Sequence, residues 1–402
     1  ASDVYKRQML MVNVSDGDYS FTKFQRIEGH GVNMTAISEV SKLSWRAIEQ
    51  DYTLDQYEEE LENIRKKKRN YTPWQVAVGA GFACGGFCIQ FGCDWMAFLY
   101  ASIAAILGMR LRQICNESGL NHYMGIAISA FVATIIAWAS TLLPAEWTST
   151  PWHPLLACAL FIVPGVPLIN FVDDMLDNYI QVGIVRAVNT LLMVAAMAFG
   201  IAFAVKLCHI DNFFPTISMV PHHKYWEYAI AAAISAMGFS MIFNIQRRLL
   251  WVVAIGGIIA VCTRNFVNLG PSTNNIGLDM GLVIGSFSGS VLVSLIAIKA
   301  VHWFHVPNHV LTIPSVIPMI PGVLMYRMLF GLINMNVQSI DQVTPLMKAI
   351  ESGVNSGLVI MCIALGVAIP NIFGRRFIAA SKNKRLAAIL KERRARGKFV
   401  EW

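Results

Sequence analysis

The sequence predicts an all-α polytopic membrane protein, and two observations carry this prediction. Of the 402 residues, 55% are hydrophobic and 14% are charged, with a mean hydropathy of +0.51. A soluble domain carries about 25% charged residues, so lipid must cover much of this chain. The apolar residues also form runs of about 17–25 residues, the length that crosses a bilayer as a helix.

About ten of these runs follow a polar amino-terminal region, and each is predicted to form a transmembrane helix. The predicted spans are Trp74–Phe91, Trp95–Leu111, Tyr123–Leu143, Leu155–Phe171, Gly183–Val205, Trp226–Phe243, Leu249–Cys262, Leu278–Val301, Val310–Phe330 and Ala349–Ile369. Five spans fall within residues 71–210 and five within 220–373, which are the two predicted membrane domains.

Residues 9–70 are predicted to form a small cytoplasmic α/β segment. Leu10–Val14 and Tyr19–Phe21 flank an Asp-Gly-Asp turn, a pattern that is typical of two paired strands. Thr53–Ile64 is predicted to be an amphipathic helix capped by Thr53, with its apolar residues packed. Residues 1–8 resemble a translated adapter sequence and are treated as an artefact.

The positive charge lies beside the apolar runs rather than in a patch that would suit nucleic acid. The net charge is +7, and Arg65–Arg69 directly precedes the first span. Because Lys and Arg mark cytoplasmic loops, both termini are predicted to be cytoplasmic. The basic tail, residues 374–402, interleaves apolar residues and is predicted to lie against anionic lipid headgroups.

Prolines interrupt two of the apolar runs at matching places. The residues that mark these broken segments are Pro164, Gly165, Pro167, Pro314, Pro318, Pro321 and Gly322. A proline removes a backbone donor and clashes with the preceding turn, and a membrane tolerates this only where protein or a watery cavity satisfies the backbone. Interrupted segments in corresponding places of two halves indicate the binding site of a transporter.

The two halves also match in sequence. Subtracting 157 from Pro321-Gly322-Val323 gives Pro164-Gly165-Val166, and subtracting 166 from Asn355 gives Asn189. An odd number of spans in each half requires the second copy to be inverted in the membrane. The sequence therefore predicts two inverted five-helix repeats, an architecture on which alternating access is built.

Charged residues near the first broken segment are candidates for coupling. Asp173, Asp174 and Asp177 follow it, and Asp174 and Asp177 share a helix face. They suit a proton-coupling carboxylate pair, with a solvated helix end as the alternative. Arg186 is predicted to pair with these carboxylates, to bind a substrate carboxylate, or to anchor the helix at the cytoplasmic surface.

The second half holds further polar candidates. Arg264 and Asn265 begin a polar stretch that continues to Asn275 and suits a vestibule for a zwitterion, with an exposed loop as the alternative. Arg327 lies in an apolar run and is predicted to pair, with Glu351 as a candidate partner, or to extend to the surface.

Several other chemistries are not indicated. The eight cysteines are scattered through apolar runs, and Pro307 interrupts the only histidine cluster, so no metal site is predicted. No nucleotide-binding glycine loop or nucleophile elbow is recognisable, so neither a cofactor nor catalysis is expected.

The phrases around Pro164-Gly165-Val166-Pro167, Asp173–Tyr179 and Gly183–Arg186, with Ile313–Gly322 and Tyr326-Arg327, resemble the threonine/serine exporter family of bacterial membrane proteins. The resemblance covers roughly Thr22 to Phe373. It implies proton-coupled export of threonine and serine across the inner membrane, and its split-gene relatives imply succinate. The chain departs from the family in lacking the usual helical stretch upstream of Met9.

The sequence is compatible with four functional hypotheses. The first is an exporter of serine or threonine driven by protons, and the second is a succinate exporter. The third is a passive channel, and the fourth is a membrane-embedded receptor or enzyme. The expected partners are the small-molecule substrate, protons, membrane lipid and further copies of the chain in a homo-oligomer. Nucleic acid is not an expected partner.

Overall fold

The structure is a computed structural model in which the chain forms two compact units, Ala1–Asn33 and Met34–Trp402. The residues that it describes are 9–16, 19–26, 31–142, 144, 146–210, 223–271, 276–333 and 343–395. Residues 1–8, predicted to be an artefact, lie outside these ranges. The described part is almost entirely helical, which confirms the predicted all-α class.

The first unit contains a β-hairpin. Strands β1 (Met9–Asp16) and β2 (Tyr19–Arg26) pair antiparallel, from Met9 opposite Arg26 to Asp16 opposite Tyr19. The Asn13 amide donates across the pair to Thr22 Oγ1 at 2.7 Å. The predicted strands are therefore present and longer than expected. Residues 17 and 18 of the predicted turn lie outside the described ranges.

The second unit begins with two helices, α1 (Met34–Gln50) and α2 (Leu54–Lys66). Thr53 and Gln56 form a capping box at the start of α2, as the sequence predicts for Thr53. The predicted packing face of this helix is wrong in part, because α2 buries none of its residues and Leu54 is 88% exposed. Helix α1 has no counterpart among the sequence predictions.

The remaining helices follow in two sets with the same order. The first set is α3 (Pro73–Gln90), α4 (Trp95–Glu117), α5 (His122–Trp138), α6 (Pro154–Ala157), α7 (Gly165–Leu176) and α8 (Ile180–Leu207). The second set is α9 (Tyr225–Ile242), α10 (Leu250–Asn268), α11 (Leu282–Phe304), α12 (Asn308–Val316), α13 (Gly322–Ile333) and α14 (Val343–Ala395). Each set has three helices, a helix broken by a 3-10 turn, and a long helix.

By length and composition, six of the described helices can cross a membrane, or seven if the bent pair α12–α13 counts as one span. The six are Trp95–Glu117, His122–Leu142, Ile180–Leu207, Arg247–Asn268, Leu282–Val301 and Leu346–Gly374. These helices indicate a multi-pass membrane protein, while the total of ten spans stays a prediction. Fewer than ten helices qualify for a physical reason. Helices α3 and α9 have only 18 residues each and include polar residues near their ends, and α6 has only 4 residues.

Helices α3 and α9 cross at close range and run antiparallel. A Cβ on Gly86 of α3 would lie 2.6 Å from the Ala231 carbonyl oxygen, and one on Gly238 of α9 would lie 2.3 Å from the Gly79 carbonyl oxygen. The first half of α3 therefore contacts the second half of α9, and the second half of α3 contacts the first half of α9. Only glycine allows this approach at either position.

The same kind of contact recurs at the long helices. A Cβ on Gly200 of α8 would lie 2.2 Å from the Ala127 carbonyl oxygen of α5, and one on Gly366 of α14 would lie 2.9 Å from the Phe287 carbonyl oxygen of α11. Gly200 and Gly366 are 166 residues apart, which is the spacing that the sequence comparison found for Asn189 and Asn355. The long helix of each set thus packs on the third helix through an equivalent glycine.

Asp94 fixes the start of α4. Its carboxylate accepts hydrogen bonds from the Ala97 N–H at 2.7 Å, the Ser149 N–H at 2.7 Å and the Thr148 hydroxyl at 2.8 Å. Burial works to raise the pKa of Asp94, but these hydrogen bonds together hold it below its ordinary value. The loop before α6 is thereby tied to the helix start of α4.

The last helix, α14, is 53 residues long and continues through Pro370 and beyond residue 374. The predicted boundary between the second membrane domain and the basic tail is therefore not a break in the helix. The tail continues the last span as one helix to Ala395, and residues 396–402 lie outside the described ranges.

Candidate functional site

The first broken segment consists of α6, a 3-10 turn at Leu160–Ile162, and α7. Pro164 is the N-cap of α7, Gly165 is its first residue and Pro167 lies in its first turn. The Gly165 N–H donates to the Val163 carbonyl at 2.8 Å, so it is not available to a ligand. The break itself lies where the prolines predict it.

The second broken segment consists of α12, a 3-10 turn at Ile317–Met319, and α13. Pro314 lies inside α12, Pro318 lies in the 3-10 turn and Pro321 directly precedes α13. The two pieces meet at an angle of 62°. The Gly322 N–H donates to the Ile320 carbonyl at 2.9 Å, which repeats the bond made by Gly165 in the first segment.

The two broken segments pack against each other in a reciprocal way. A Cβ on Gly165 would lie 2.9 Å from Ile320 Cδ1 and 3.2 Å from Ile317 Cγ1. A Cβ on Gly322 would lie 2.7 Å from Leu160 Cδ2 and 2.9 Å from Val163 Cγ2. Adding 157 to the numbers 160, 163 and 165 gives 317, 320 and 322, so each contact is the equivalent of the other.

This contact between the two broken segments closes the centre of the second unit. The cavity that remains there is about 10 Å³, and Phe87 of α3 and Phe239 of α9 complete its lining. Their rings meet edge to face, with centroids 5.9 Å apart. A single water needs about this much space, so no substrate fits in this conformation.

The coupling candidates Asp174 and Arg186 form an ion pair between α7 and α8. Asp174 Oδ2 lies 2.6 Å from Arg186 Nη1, and the Asp174 side chain is 21% exposed. The structure thus brings one of the three predicted aspartates to Arg186.

The two asparagines related by the repeat have different surroundings. Asn189 of α8 accepts a hydrogen bond from the Tyr123 hydroxyl of α5 at 2.6 Å. Asn355, its equivalent on α14, is exposed. Tyr123 was not predicted to be part of the site.

Arg264 and Asn265 lie together at the end of α10, and they meet the end of α3. Arg264 donates to Asn265 Oδ1 through Nη2 at 3.0 Å and through Nε at 3.1 Å. It also donates to Gln90 Oε1 at 3.4 Å. Gln90 was not among the predicted residues, because its partners are far away in the sequence. Residues 272–275 of the predicted vestibule lie outside the described ranges.

Arg327 lies half-buried on α13, in the second broken segment. The ion pairs among the described residues do not join it to Glu351, the partner that the sequence suggested. Glu351 is exposed on α14.

A further arginine emerges from the correspondence between the halves. Arg112 of α4 is 152 residues before Arg264, and 152 also separates Gly86 from Gly238 at the α3–α9 crossing. Gln113 follows Arg112 as Asn265 follows Arg264, but it makes different hydrogen bonds. It accepts from Arg110 at 3.0 Å and donates to the Pro73 carbonyl at 3.0 Å. The 152-residue spacing between the halves could have identified Arg112 in the sequence as the equivalent of Arg264.

A large cavity of about 1350 Å³ lies between α1, α2 and the loops that follow α9 and α11. Two of its cations are paired, Arg46 with Glu60 at 3.7 Å and Lys67 with Glu39. Burial, followed by repulsion from the Arg248 guanidinium, lowers the pKa of the lining residue Lys42. This cavity was not predicted from the sequence because α1, which forms one wall, was not predicted.

Among the described residues, no group of three His, Cys, Asp or Glu side chains is placed to hold a metal ion. The candidate residues instead carry carboxylate, guanidinium and amide groups, and the contact between the two broken segments is apolar. Such groups bind small polar molecules and protons, and the arrangement suits transport.

Comparisons with known proteins agree with this description. Residues 4–208 match a sequence family described as "Putative threonine/serine exporter", and residues 228–373 match one described as "Threonine/Serine exporter, ThrE". A Klebsiella aerogenes protein named "Probable succinate transporter subunit YjjP" is 27% identical over 206 residues, which is 51% of this chain and 78% of the relative. Its namesake from Escherichia coli K12 is 26% identical over 206 residues, or 51% and 79%. No solved structure matches the chain significantly.

Proposed function

Because this chain belongs to the threonine/serine exporter family, we propose that it is a secondary transporter that exports serine- or threonine-type amino acids across the bacterial inner membrane. The observation that carries the proposal is the reciprocal packing of the two broken segments, with Gly165 on one side and Gly322 on the other. Export proceeds when these segments separate, toward one face of the membrane and then the other.

The closed centre is the occluded state of this cycle. The cavity of about 1350 Å³ beside α1 is the cytoplasmic vestibule, where a substrate collects before the centre opens. The position of Arg65–Arg69 before the first span supports a cytoplasmic location for this side and for both termini.

Inverted repeats supply the symmetry that the cycle needs. The first helix of one set, α3, packs antiparallel on the first helix of the other, α9, as Gly86 and Gly238 indicate. Equivalent helices that run in opposite directions belong to repeats of opposite topology. This packing supports two inverted five-helix repeats, with the broken segments counted as the fourth span of each.

The Asp174–Arg186 ion pair is the proposed coupling element. Protonation removes the charge of Asp174 and with it the attraction that holds α7 to α8 across 2.6 Å. Release of α7 then lets the first broken segment move away from the second.

A dicarboxylate is the second candidate substrate. The two relatives from Klebsiella aerogenes and Escherichia coli are named as subunits of a succinate transporter, which favours succinate over a neutral amino acid. The same names favour assembly with further subunits, and for this chain, which contains both halves, we expect a homo-oligomer.

Efflux from proteoliposomes tests the proposal. Vesicles are loaded with labelled serine, threonine or succinate, and efflux is followed with and without an imposed proton gradient. We expect gradient-driven efflux of one substrate class, reduced at least about tenfold in Asp174→Asn, because the asparagine cannot carry a proton. Efflux of the wild type is expected to depend on pH, and that of Asp174→Asn is not.

Asp173→Asn is the matched control, since it makes the same change one residue away from the ion pair, and it is expected to keep gradient-driven efflux. A wild type that moves none of the three substrates, although folded and inserted, contradicts the exporter. Efflux that ignores the gradient in the wild type indicates a passive channel and overturns the coupling.

A further inference from the structure

The ends of α3 and α10 hold a cluster of buried hydrogen-bond donors that lack acceptors. Asn265 is 3% exposed and Gln90 is 4% exposed, so water does not satisfy either side chain. Asn265 Nδ2 and Gln90 Nε2 are both buried without a hydrogen-bond partner among the described residues. A buried donor left unpaired is costly, so the two amides need an explanation.

Arg264 dictates the orientation of both amides. A guanidinium only donates hydrogen bonds, so each amide must turn its oxygen toward Arg264, and its NH₂ group then cannot bond to Arg264. The distances of 3.0 and 3.1 Å to Asn265 and 3.4 Å to Gln90 fit this arrangement. Flipping either amide would set a donor against a donor. The two unpaired NH₂ groups are therefore a consequence of the cation between them.

The guanidinium has donors to spare. Its Nε and Nη2 groups are used by the two amides, while no hydrogen bond of Nη1 is seen among the described residues. The ion pairs of this part of the chain include no carboxylate on Arg264. The cluster thus combines one positive charge with two neutral donors and no negative group.

We propose that Gln90, Arg264 and Asn265 form a binding site for a carboxylate of the transported substrate, at the end of the pathway opposite to the Asp174–Arg186 pair. A carboxylate supplies two oxygens and a negative charge, which are the acceptors that Nη1, Nε2 of Gln90 and Nδ2 of Asn265 lack. The location follows from the proposed topology, in which α3 starts at the cytoplasmic side, and Gln90 is the last residue of α3. This inference rests on the proposed function and assigns Gln90 a role in it.

The alternative is a purely structural role, in which Arg264 offsets the partial negative charge at the carboxyl ends of α3 and α10. That role accounts for the charge of Arg264 but leaves the two buried NH₂ groups without an acceptor. A ligand carboxylate accounts for all three residues.

Binding to the purified full-length protein in detergent tests the proposal without relying on transport. The ligands are succinate, serine, chloride and methylamine, which lacks a carboxylate, and binding is measured by calorimetry. We expect succinate or serine to bind the wild type, and the dissociation constant to rise at least about tenfold in Arg264→Gln and in Gln90→Leu. Arg110→Gln is the control, since Arg110 is occupied by Gln113 and Trp74.

Gln90→Glu separates a binding role from a structural one. This variant places a carboxylate where the Gln90 oxygen now accepts from Arg264, so it supplies the acceptor from within the protein. We expect it to raise the melting temperature and to abolish carboxylate binding. The Gln90→Glu variant also tests the site if Arg264→Gln fails to fold.

Several outcomes overturn the proposal. These are unchanged carboxylate binding in Arg264→Gln or Gln90→Glu, no carboxylate binding by the wild type, and chloride binding in preference to both carboxylates. Its failure is distinguishable from failure of the exporter: normal efflux by Arg264→Gln overturns this site alone. Carboxylate binding by a wild type that moves no substrate leaves the site standing and overturns the exporter.

Discussion

Replacing Gly322 with leucine is expected to reduce substrate efflux at least about tenfold while the protein still folds and inserts. A Cβ at this position already lies 2.7 Å from Leu160 Cδ2 and 2.9 Å from Val163 Cγ2. The remaining cavity of about 10 Å³ cannot take the three further carbons of leucine. The two broken segments must then shift apart, and the occluded state through which every substrate passes is destabilised. Efflux from proteoliposomes, with detergent melting as the folding check, measures both effects.

The reciprocal contact makes this prediction specific. Gly165→Leu, in the other half, should have the same phenotype, because Gly165 contacts Ile317 and Ile320 as Gly322 contacts Leu160 and Val163. Leu160→Ala should restore part of the efflux of Gly322→Leu, since the two side chains compete for one space. Gly357→Leu is the control, because a Cβ on Gly357 would meet nothing within 4 Å. Loss of efflux in the control as severe as in Gly322→Leu argues against the account.

Replacing Gly238 with alanine is expected to destabilise the folded protein by about 2–3 kcal/mol. Its Cβ would lie 2.3 Å from the Gly79 carbonyl oxygen and 2.8 Å from the Ala83 backbone nitrogen, so the two helices α3 and α9 must separate. Backbone atoms cannot turn aside as a flexible side chain can. The apparent melting temperature in detergent and the yield of folded protein measure the effect.

Gly357→Ala again provides the matched control, since it adds the same methyl group to a helix at a place with free space. It is expected to be neutral or slightly stabilising, because alanine favours helix more than glycine does. A Gly238→Ala protein that melts with the control would show that the crossing is looser than described.

The sequence could predict those features that arise from local chemistry. Proline geometry places both breaks, so Pro164 and Pro321 lie where the helices restart. The hydroxyl of Thr53 accepts a hydrogen bond from the Gln56 N–H, and the capping box is present. The repeat spacing of 157 located the phrases that pack against each other, although the sequence could not say that they touch.

Other features depend on partners far apart in the chain, which periodicity does not reveal. Gln90 meets Arg264 only because the helices α3 and α10 end at the same level, although the two residues are 174 positions apart in the sequence. The ion pair of Asp174 with Arg186 was one option among several, and the fold selects Asp174 over its neighbours. Glu351 failed as a partner of Arg327 because it lies on an exposed face of α14.

The number of spans shows where length arguments fail. Helices α3 and α9 are short and rich in glycine and alanine because they pack on each other rather than on lipid. They are therefore not among the six described helices that are long and apolar enough to cross a membrane. Helix α1 is amphipathic, but it was not predicted because its start carries no acidic residue.

A reversible cross-link between the two broken segments tests the central claim most directly. The two methyl carbons of Val163 lie 2.9 and 3.7 Å from the position of a Cβ on Gly322, close enough for Val163→Cys and Gly322→Cys to form a disulfide in a chain without its native cysteines. If transport requires the segments to separate, efflux stops when the disulfide forms and returns when it is reduced. Efflux that continues unchanged with the disulfide in place would contradict the claim.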